Sequence, residues 1–472
     1  MNRASNILLL LAASGLLSSC TPVAMKIVPS AAARTITGTD PDDAVPADPE
    51  GTFRIDLAST LRLAAGRNLE LATAIEKVRL AAARSDQAYL SIVPDLAAGA
   101  SFARLNGLVQ DIAGDPLDTE RVNRSAGLGT SSGVPGVGLD LSLSKAIFDP
   151  LAAKQDKKAA VAVSQAREHQ VMAEAAIGYL ELVRAHGHMR LAREIEAASG
   201  KLADATRAFA AAGEGLSADA ERALAIHLLS RGDTVDAGAD VQVRSASLAR
   251  LLHLPASLTL TPAAEDVAAT HLVDPDESAA RMVATALRYR PETAAMQAEV
   301  SAAAHRFTAQ KIQPFLPNVA AGYSSYEFAA GRGTGADRTD PRDEVAALIY
   351  WKLDGLGFGN EAAAREKQSQ LALVRLEEER VLDGISFDVT SARAEVIARR
   401  SRLGIGSEAA GHARKAYQLT TARLRQSEGL PIEALASIQT LAEARRAEID
   451  AVLDYNIAQH RLLAALGHPA TK

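Results

Sequence analysis

Cys20 is the only cysteine of the 472-residue chain, and its thiol is the most reactive group the sequence offers. One thiol cannot close an internal disulfide, and a zinc centre of several thiolates is excluded. Covalent modification of that thiol is what remains. His186 and His188 stand two positions apart. On a helix that spacing turns two side chains about 200° from one another, so they make a poor metal pair. Leu356-Gly357-Phe358-Gly359 is glycine-rich. It has the position of a strand-to-helix turn but lacks the dinucleotide-binding context, and no glycine loop carries the lysine that cradles phosphate. There are six Met and no Met- or His-rich tract. The sequence predicts neither an enzyme nor a motor, and no cofactor or metal.

The residues before Cys20 say which modification fits. Arg3 gives a positive start, and Ile7 to Leu17 form an apolar stretch of 11 residues. That is too short to span a bilayer and right for the core of a secretory signal. The stretch ends Leu17-Ser18-Ser19-Cys20. Small residues before a cysteine, after such a core, resemble the bacterial lipobox. The resemblance implies cleavage before Cys20, lipidation of its thiol and, with Thr21 following, sorting to the outer membrane. The other reading is an ordinary secretory signal with an incidental cysteine. On the first reading 1–19 is the signal peptide, and 20–52, rich in Pro, Ala, Asp and Thr, is an extended tether.

Hydrophobic residues make up 48% of the chain but aromatics only 4%. Much of the apolar content is therefore alanine, which favours long helices over a globular aromatic core. The net charge of -6, without a basic face, argues against nucleic acid as a partner. No other stretch of 18 apolar residues exists, so any membrane crossing must use strands in a closed barrel.

Two spacings recur. Arg67 lies 27 residues before Pro94, and Arg290 lies 27 before Pro317. Gly215 lies 40 before Pro255, and Gly429 lies 40 before Pro469. Agreement of both predicts a duplicated unit over 53–255 and 277–469, joined by a linker at 256–276 and followed by a tail at 470–472.

Each copy reads as helix, two strands, long helix, turn, helix. Leu57, Leu61, Ala64, Leu69, Ala72 and Ile75 recur at helical spacing and predict one helix over 56–92. Residues 136–147 alternate, with Val137, Leu139, Leu141 and Leu143 on one face, and predict a strand long enough to cross a membrane when tilted. A second strand is expected over 95–104, and 107–135 reads as a surface loop. Copy two places strands at 318–328 and 344–353, with Tyr323, Tyr326, Phe328, Tyr350 and the single Trp351. Aromatics at strand ends suit a barrel girdle, or else an aromatic minicore under a soluble hairpin. Asp149 and Pro150 are expected to start a helix running to about 212, roughly 95 Å long. Asn360 is expected to cap its counterpart, which runs to about 427 and could kink at Gly384, Gly404, Gly406 or Gly411. The shorter helices, 56–92 and 217–254, match one long helix when stacked end to end.

This order, with AAGRNLEL at 64–71 and GEGLSADAERA at 213–223, resembles the TolC-type outer-membrane efflux proteins, in particular their lipoprotein branch. The resemblance covers about 53–469. It implies a mainly α fold with a small β part. Long helical hairpins form an α-barrel, and four strands per chain contribute to a trimeric 12-stranded transmembrane β-barrel. It further implies a homotrimer set in outer-membrane lipid. A periplasmic membrane-fusion adaptor would meet the tip turns, and through it the chain would meet an inner-membrane pump. The tip residues would be Gly213, Gly215, Leu216, Ser217, Asp219, Arg222, Gly429, Leu430 and Pro431. Asp219, six residues after Gly213, matches a recurring tip aspartate. If Gly215 is the family glycine, the match is lost, and Asp219 is simply a first-turn carboxylate favoured by the helix dipole. Some members carry gate aspartates six and nine residues after the second tip glycine. Leu435 and Ile438 stand there instead, either as an apolar constriction or as packing between helices. The function expected is a passive outer-membrane duct of a tripartite efflux system. The alternatives are the channel of a type I protein secretion system and a periplasmic coiled-coil spacer without a pore.

Overall fold

The computed structural model describes residues 51–110, 112–127, 137–213, 215–255, 257–264, 267–332, 339–426 and 429–468. All belong to one unit, Val45–Lys472; the other unit, Met1–Ala44, lies outside the described residues, and Cys20 with it.

The first repeat opens with strand β1 (Thr52–Ile55) and helices α1 (Leu57–Arg67) and α2 (Leu69–Leu90). Strands β2 (Asp95–Gln110), β3 (Pro116–Gly127) and β4 (Val137–Ser142) follow. Helices α3 (Leu143–Ala211) and α4 (Ser217–Leu251) close the repeat, and strand β5 (Thr259–Pro262) leads out of it. The second repeat has helices α5 (Ala279–Tyr289) and α6 (Pro291–Ile312), then strands β6 (Asn318–Arg332) and β7 (Thr339–Tyr350). Helices α7 (Phe358–Arg425) and α8 (Pro431–Ala465) end it. The duplication is written in the lengths. α1 and α5 have 11 residues each, α2 and α6 have 22, α4 and α8 have 35, and α3 and α7 have 69 and 68. At 1.5 Å per residue, α3 and α7 are each roughly 100 Å long.

Several expected boundaries move, each for a local reason. The helix expected over 56–92 is two. Asn68 is extended and caps α2, accepting from the Glu70 and Leu71 amides at 2.8 and 3.2 Å. The break in repeat two falls at Arg290, so Asn68, not Arg67, is the counterpart of Arg290. The helix expected from Asp149 begins at Leu143, and Pro150 lies inside it, at the cost of one backbone hydrogen bond. The strand expected over 136–147 is accordingly cut to 137–142. Asn360 is not the cap of α7. That place belongs to Gly357 at φ 97°, while the buried Asn360 accepts the Asp354 amide at 2.8 Å. α7 runs unbroken through Gly384, Gly404, Gly406 and Gly411. At Gly406 a Cβ would stand 3.4 Å from Ala451 and the Ala447 carbonyl, so this glycine lets α7 and α8 approach closely.

Of the stretch expected as a loop, 107–135, residues 107–110 and 116–127 are strand, and 111 and 128–135 lie outside the described residues. β3 pairs with β2 from Gly99↔Gly127 to Gln110↔Pro116, and β4 continues from Ala98↔Val137. Against β6 the same step occurs, from Ala126↔Ser325 to Val137↔Tyr323. β3 and β4 thus lie in one line between β2 and β6, and 128–136 fall outside the described residues. The sequence of β3 has no regular alternation for periodicity to announce; its place comes from backbone pairing on both sides.

Alanine does the packing between the long helices. Ala152, Ala159, Ala175, Ala176, Ala185 and Ala203 are all buried on α3. One larger core holds Leu63, Met172, Leu182, Leu248, Leu252 and Leu260, and a second holds Met282, Val389, Val396 and Leu462.

Candidate functional site

The wall of the molecule is a strip four columns wide. In its upper half the helices lie in the order α2, α3, α6, α7, and in its lower half α4, α3, α8, α7. α3 and α7 run the full height, while the shorter helices stack in pairs. At the α2–α4 joint, the Asn68 amide donates to the Leu251 carbonyl at 2.9 Å, so one side chain ends one helix and starts another. At the α6–α8 joint the backbones meet directly, because Gly467 packs on Tyr289 and Arg290.

The sheet repeats this order as β2, β3 with β4, β6, β7. Every pairing among these strands is antiparallel. β2 and β7 have no second neighbour among the described residues. The open strand edges lie on the same sides as the open helical columns, because α2 leads into β2 and β7 leads into α7. The open columns also keep large apolar side chains exposed. Leu229 and Val243 do so on α4, and Leu376, Phe387 and Ile405 on α7; of the inner helices α6 exposes none, and α3 exposes Ile147, Leu151, Val161 and Val163.

The two faces of the strip differ. β1 and β5 pair in parallel, Thr52↔Thr259 to Ile55↔Pro262, and rest at mid-height on α3 and α4. The linker beyond β5 is tied to α8. Asn456 accepts from the Thr270 amide at 2.7 Å and donates to the Ala268 carbonyl at 3.0 Å. Gln459 accepts from the Leu272 and Val273 amides and donates to the Val273 carbonyl. His186 of α3 faces this side, and the Leu260 backbone hydrogen-bonds to it. Ile177 lies nine residues earlier, two and a half turns, and so faces the other side. That side carries no crossing chain among the described residues. Its upper part holds a groove of about 890 Å³ lined by Lys77, Arg84, Glu299 and the pairs Arg167–Glu70 and Arg306–Asp156.

At the lower end each long helix turns back through a glycine. Gly213 takes φ 82° and donates to the Ala210 carbonyl. A Cβ on Gly215 would stand 3.4 Å from the Ala210 amide, and one on Gly429 would stand 3.0 Å from the Leu424 amide. The equal helix lengths pair Gly215 with Gly429, Leu216 with Leu430 and Asp219 with Glu433. Leu216 and Leu430, the residues that precede α4 and α8, are 70% and 61% exposed. Ser217 and Pro431 are the first helical residues. Asp219 lies in the first turn of α4, 3.5 Å from Arg222. Of the two readings of Leu435 and Ile438, the burial accords with packing between helices: they are 2% and 1% exposed, packed with Leu202, Ala223 and Leu424.

No family model and no curated protein matches the chain. Solved structures do. The outer-membrane channel OprN superposes with a TM-score of 0.72 at 19% identity, over 88% of this chain and 91% of that one. The outer membrane protein VceC of Vibrio cholerae gives 0.69 at 17%, over 88% and 97%. The open-state MtrE outer membrane channel of Neisseria gonorrhoeae gives 0.67 at 19%, over 88% and 90%. The chain has the outer-membrane channel fold.

Within that fold the titratable groups serve the joints between helices. Asp454 of α8 bridges Arg184 of α3 at 2.7 Å and Arg399 of α7 at 2.8 Å, binding three columns at one point. His188 stands 2.9 Å from Asp450. Burial works against the Asp450 charge, but His188, Arg184 and Arg446 hold its pKa below the usual carboxylate value. His186 and His188 thus have separate partners, and no cluster of metal-ligating groups occurs among the described residues. No helix among them is long and apolar enough to cross a membrane. Sequence reasoning missed Asn68, Asn456 and Gln459. The signal for the last two was present: amides inside the apolar helical run 455–459 need partners.

Burial depresses the pKa of His460, and likewise of His169 and His186 despite opposing contacts from Glu292 and the Leu260 backbone. Each therefore resists protonation more when folded than when unfolded. Stability from this source is full above about pH 6.5 and is lost as pH falls below it. The melting temperature is expected to drop between pH 7.5 and pH 5, and less in His460→Gln. An equal drop in both proteins would contradict the assignment.

Proposed function

We propose that this chain is the outer-membrane duct of a tripartite efflux system. Copies of the strip join edge to edge, β7 and α7 of one against β2, α2 and α4 of the next. One observation carries the reading: strand edges and helical columns are open on the same two sides. An open sheet edge in lipid leaves backbone groups unpaired at a cost of several kcal/mol each, so the sheet must close. Three chains, the number the family resemblance supplies, make 12 strands and 12 columns. At 8–10 Å between neighbours, 12 columns enclose a tube roughly 30–40 Å across between helix axes. The face that carries β1, β5 and the linker is the outer one, since those segments would cross the bore if it were inner. The opposite face, which holds the groove lined by Lys77, Arg84 and Glu299, becomes the water-filled lumen.

In this reading the duct is passive. The tips meet the hairpins of a periplasmic adaptor, which connects to an inner-membrane pump. Cys20 bears the lipid and anchors the chain to the outer membrane. Domain bounds follow the repeats, 53–255 and 277–469, with the linker 256–276 as a belt at mid-height. The sequence resemblance fits efflux and type I secretion alike, and the phenotype of a deletion separates them. Deleting the gene should raise the accumulation of a fluorescent efflux dye. Unchanged dye levels with loss of a secreted protein would support secretion instead.

Lipidation has its own test. Cys20→Ala should abolish incorporation of labelled palmitate. Undiminished labelling would remove the lipoprotein assignment and leave the duct reading standing.

A further inference from the structure

We propose that the turn between β7 and α7 is a lipid anchor that inserts into the periplasmic leaflet of the outer membrane, a device only the second repeat possesses. The inference rests on the reading of the sheet as a membrane barrel. In repeat one, β4 ends at Ser142 and α3 starts at Leu143, with nothing between them. In repeat two, residues 351–357 separate β7 from α7.

Those residues are held in an unusual shape. Gly355, Leu356 and Gly357 all adopt positive φ, at 56°, 57° and 97°. Glycine takes that conformation freely, whereas leucine is strained in it. Two further residues lock the turn. Gly359 leaves room that a Cβ would fill 2.7 Å from the Asp354 carbonyl, and the buried Asn360 accepts the Asp354 amide at 2.8 Å.

The product of this strain is exposed grease. Leu356 is 91% exposed and Phe358 77%, and Trp351 and Leu353 are exposed beside them. A strained leucine displayed to water has no folding rationale; displayed to hydrocarbon it has one. The Trp351 indole donates to the Phe315 carbonyl at 3.3 Å, so its polar edge is satisfied while its ring stays outside. Exposed Lys145 and Lys352 follow the ends of β4 and β7 within a few residues, Lys352 also standing 3.3 Å from Asp354. Apolar side chains beside an indole and cations match the boundary between acyl chains and phosphates. The turn also continues directly from β7, whose Val345 and Ile349, four residues apart and so on one face, are exposed. Phospholipid is therefore the occupant inferred, and a neighbouring copy is the alternative outcome.

Trp351 is the chain's only tryptophan, so its emission reports on this site without labelling. The test reconstitutes the full chain into phospholipid vesicles containing phosphatidylcholine brominated either near the headgroup or near the chain end. A second protein, Trp351→Phe with Leu356→Trp, moves the single indole to the tip of the turn. Shallow bromines are expected to reduce emission about two-fold in both proteins, and deep bromines less, as an interfacial site requires. Emission untouched by either lipid, in vesicles that conduct ions, would overturn the anchor and leave the channel reading intact, with protein covering the turn. Emission untouched in vesicles that do not conduct would overturn both.

Discussion

Aspartate at both Leu216 and Leu430 is expected to reduce drug resistance to that of a strain lacking the gene, while the protein still folds and assembles. The two leucines occupy equivalent places in the two repeats, directly before α4 and α8, and both are largely exposed. Substitutions of exposed residues usually change stability by less than about 0.5 kcal/mol. The fold has alternatives to these side chains. The hairpins are tied by Leu435, Ile438 and Ala223 in the tip core and by the Thr420–Ser437 hydroxyl pair at 2.8 Å. An adaptor that covers an apolar knob would instead lose about 2 kcal/mol or more per site. With two knobs per chain the losses multiply round the ring. Growth in the presence of an efflux substrate, read beside the oligomer on a native gel, separates the two effects. Normal resistance with normal assembly would remove the tips from adaptor docking. Gly429 is the less clean probe, because a side chain there would press on the Leu424 amide and disturb the turn itself.

Gly467→Val is expected to be the most destabilising single change at the waist, by roughly 3–5 kcal/mol. Gly467 takes φ 83° at the end of α8, where the His468 amide closes back on the Leu463 carbonyl at 3.2 Å. A β-branched residue resists that conformation. The space is also absent. A Cβ would lie 2.9 Å from the Arg290 amide nitrogen and 3.0 Å from its Cα. Backbone cannot rotate out of the way as a side chain could. Arg290 is itself held, by Asp388 at 2.9 Å and Glu292 at 3.0 Å, so a shift there would pull on α7. Thermal unfolding should show a drop of several degrees, with a smaller drop for Gly467→Ala. A melting temperature equal to the wild type in Gly467→Val would show that the α6–α8 joint yields, contrary to the packing described.

Much of the fold was legible because it rests on local rules. The alanine-rich helical pattern announced helices far too long for a globular domain, and the repeated spacings announced the duplication. The glycines at 215 and 429 marked the turns, and both prove to be sites of close backbone approach. What stayed hidden depends on partners distant in sequence. Nothing local in Thr52–Ile55 says that it pairs with Thr259–Pro262. The sequence 116–127 shows no regular alternation of apolar and polar residues, and pairing with β2 and β6 is what places β3. The alternation that continued past Ser142 was followed too far, because Leu143 is apolar for a helical reason. Asn68 reads as an ordinary polar residue until the end of α4 is brought to it. At the tips, glycine and leucine were readable. The fate of Leu435 and Ile438 was not, because apolar side chains suit a constriction and a helix interface alike until the neighbouring helices are in place.

Density from electron cryomicroscopy of the full chain in lipid nanodiscs addresses the claim that the strip is one segment of a ring. Closure predicts β7 of each copy hydrogen-bonded to β2 of the next, with an open bore running from the sheet down through the helices. Sheet edges folded against their own chain, or an axis filled with protein, would contradict it.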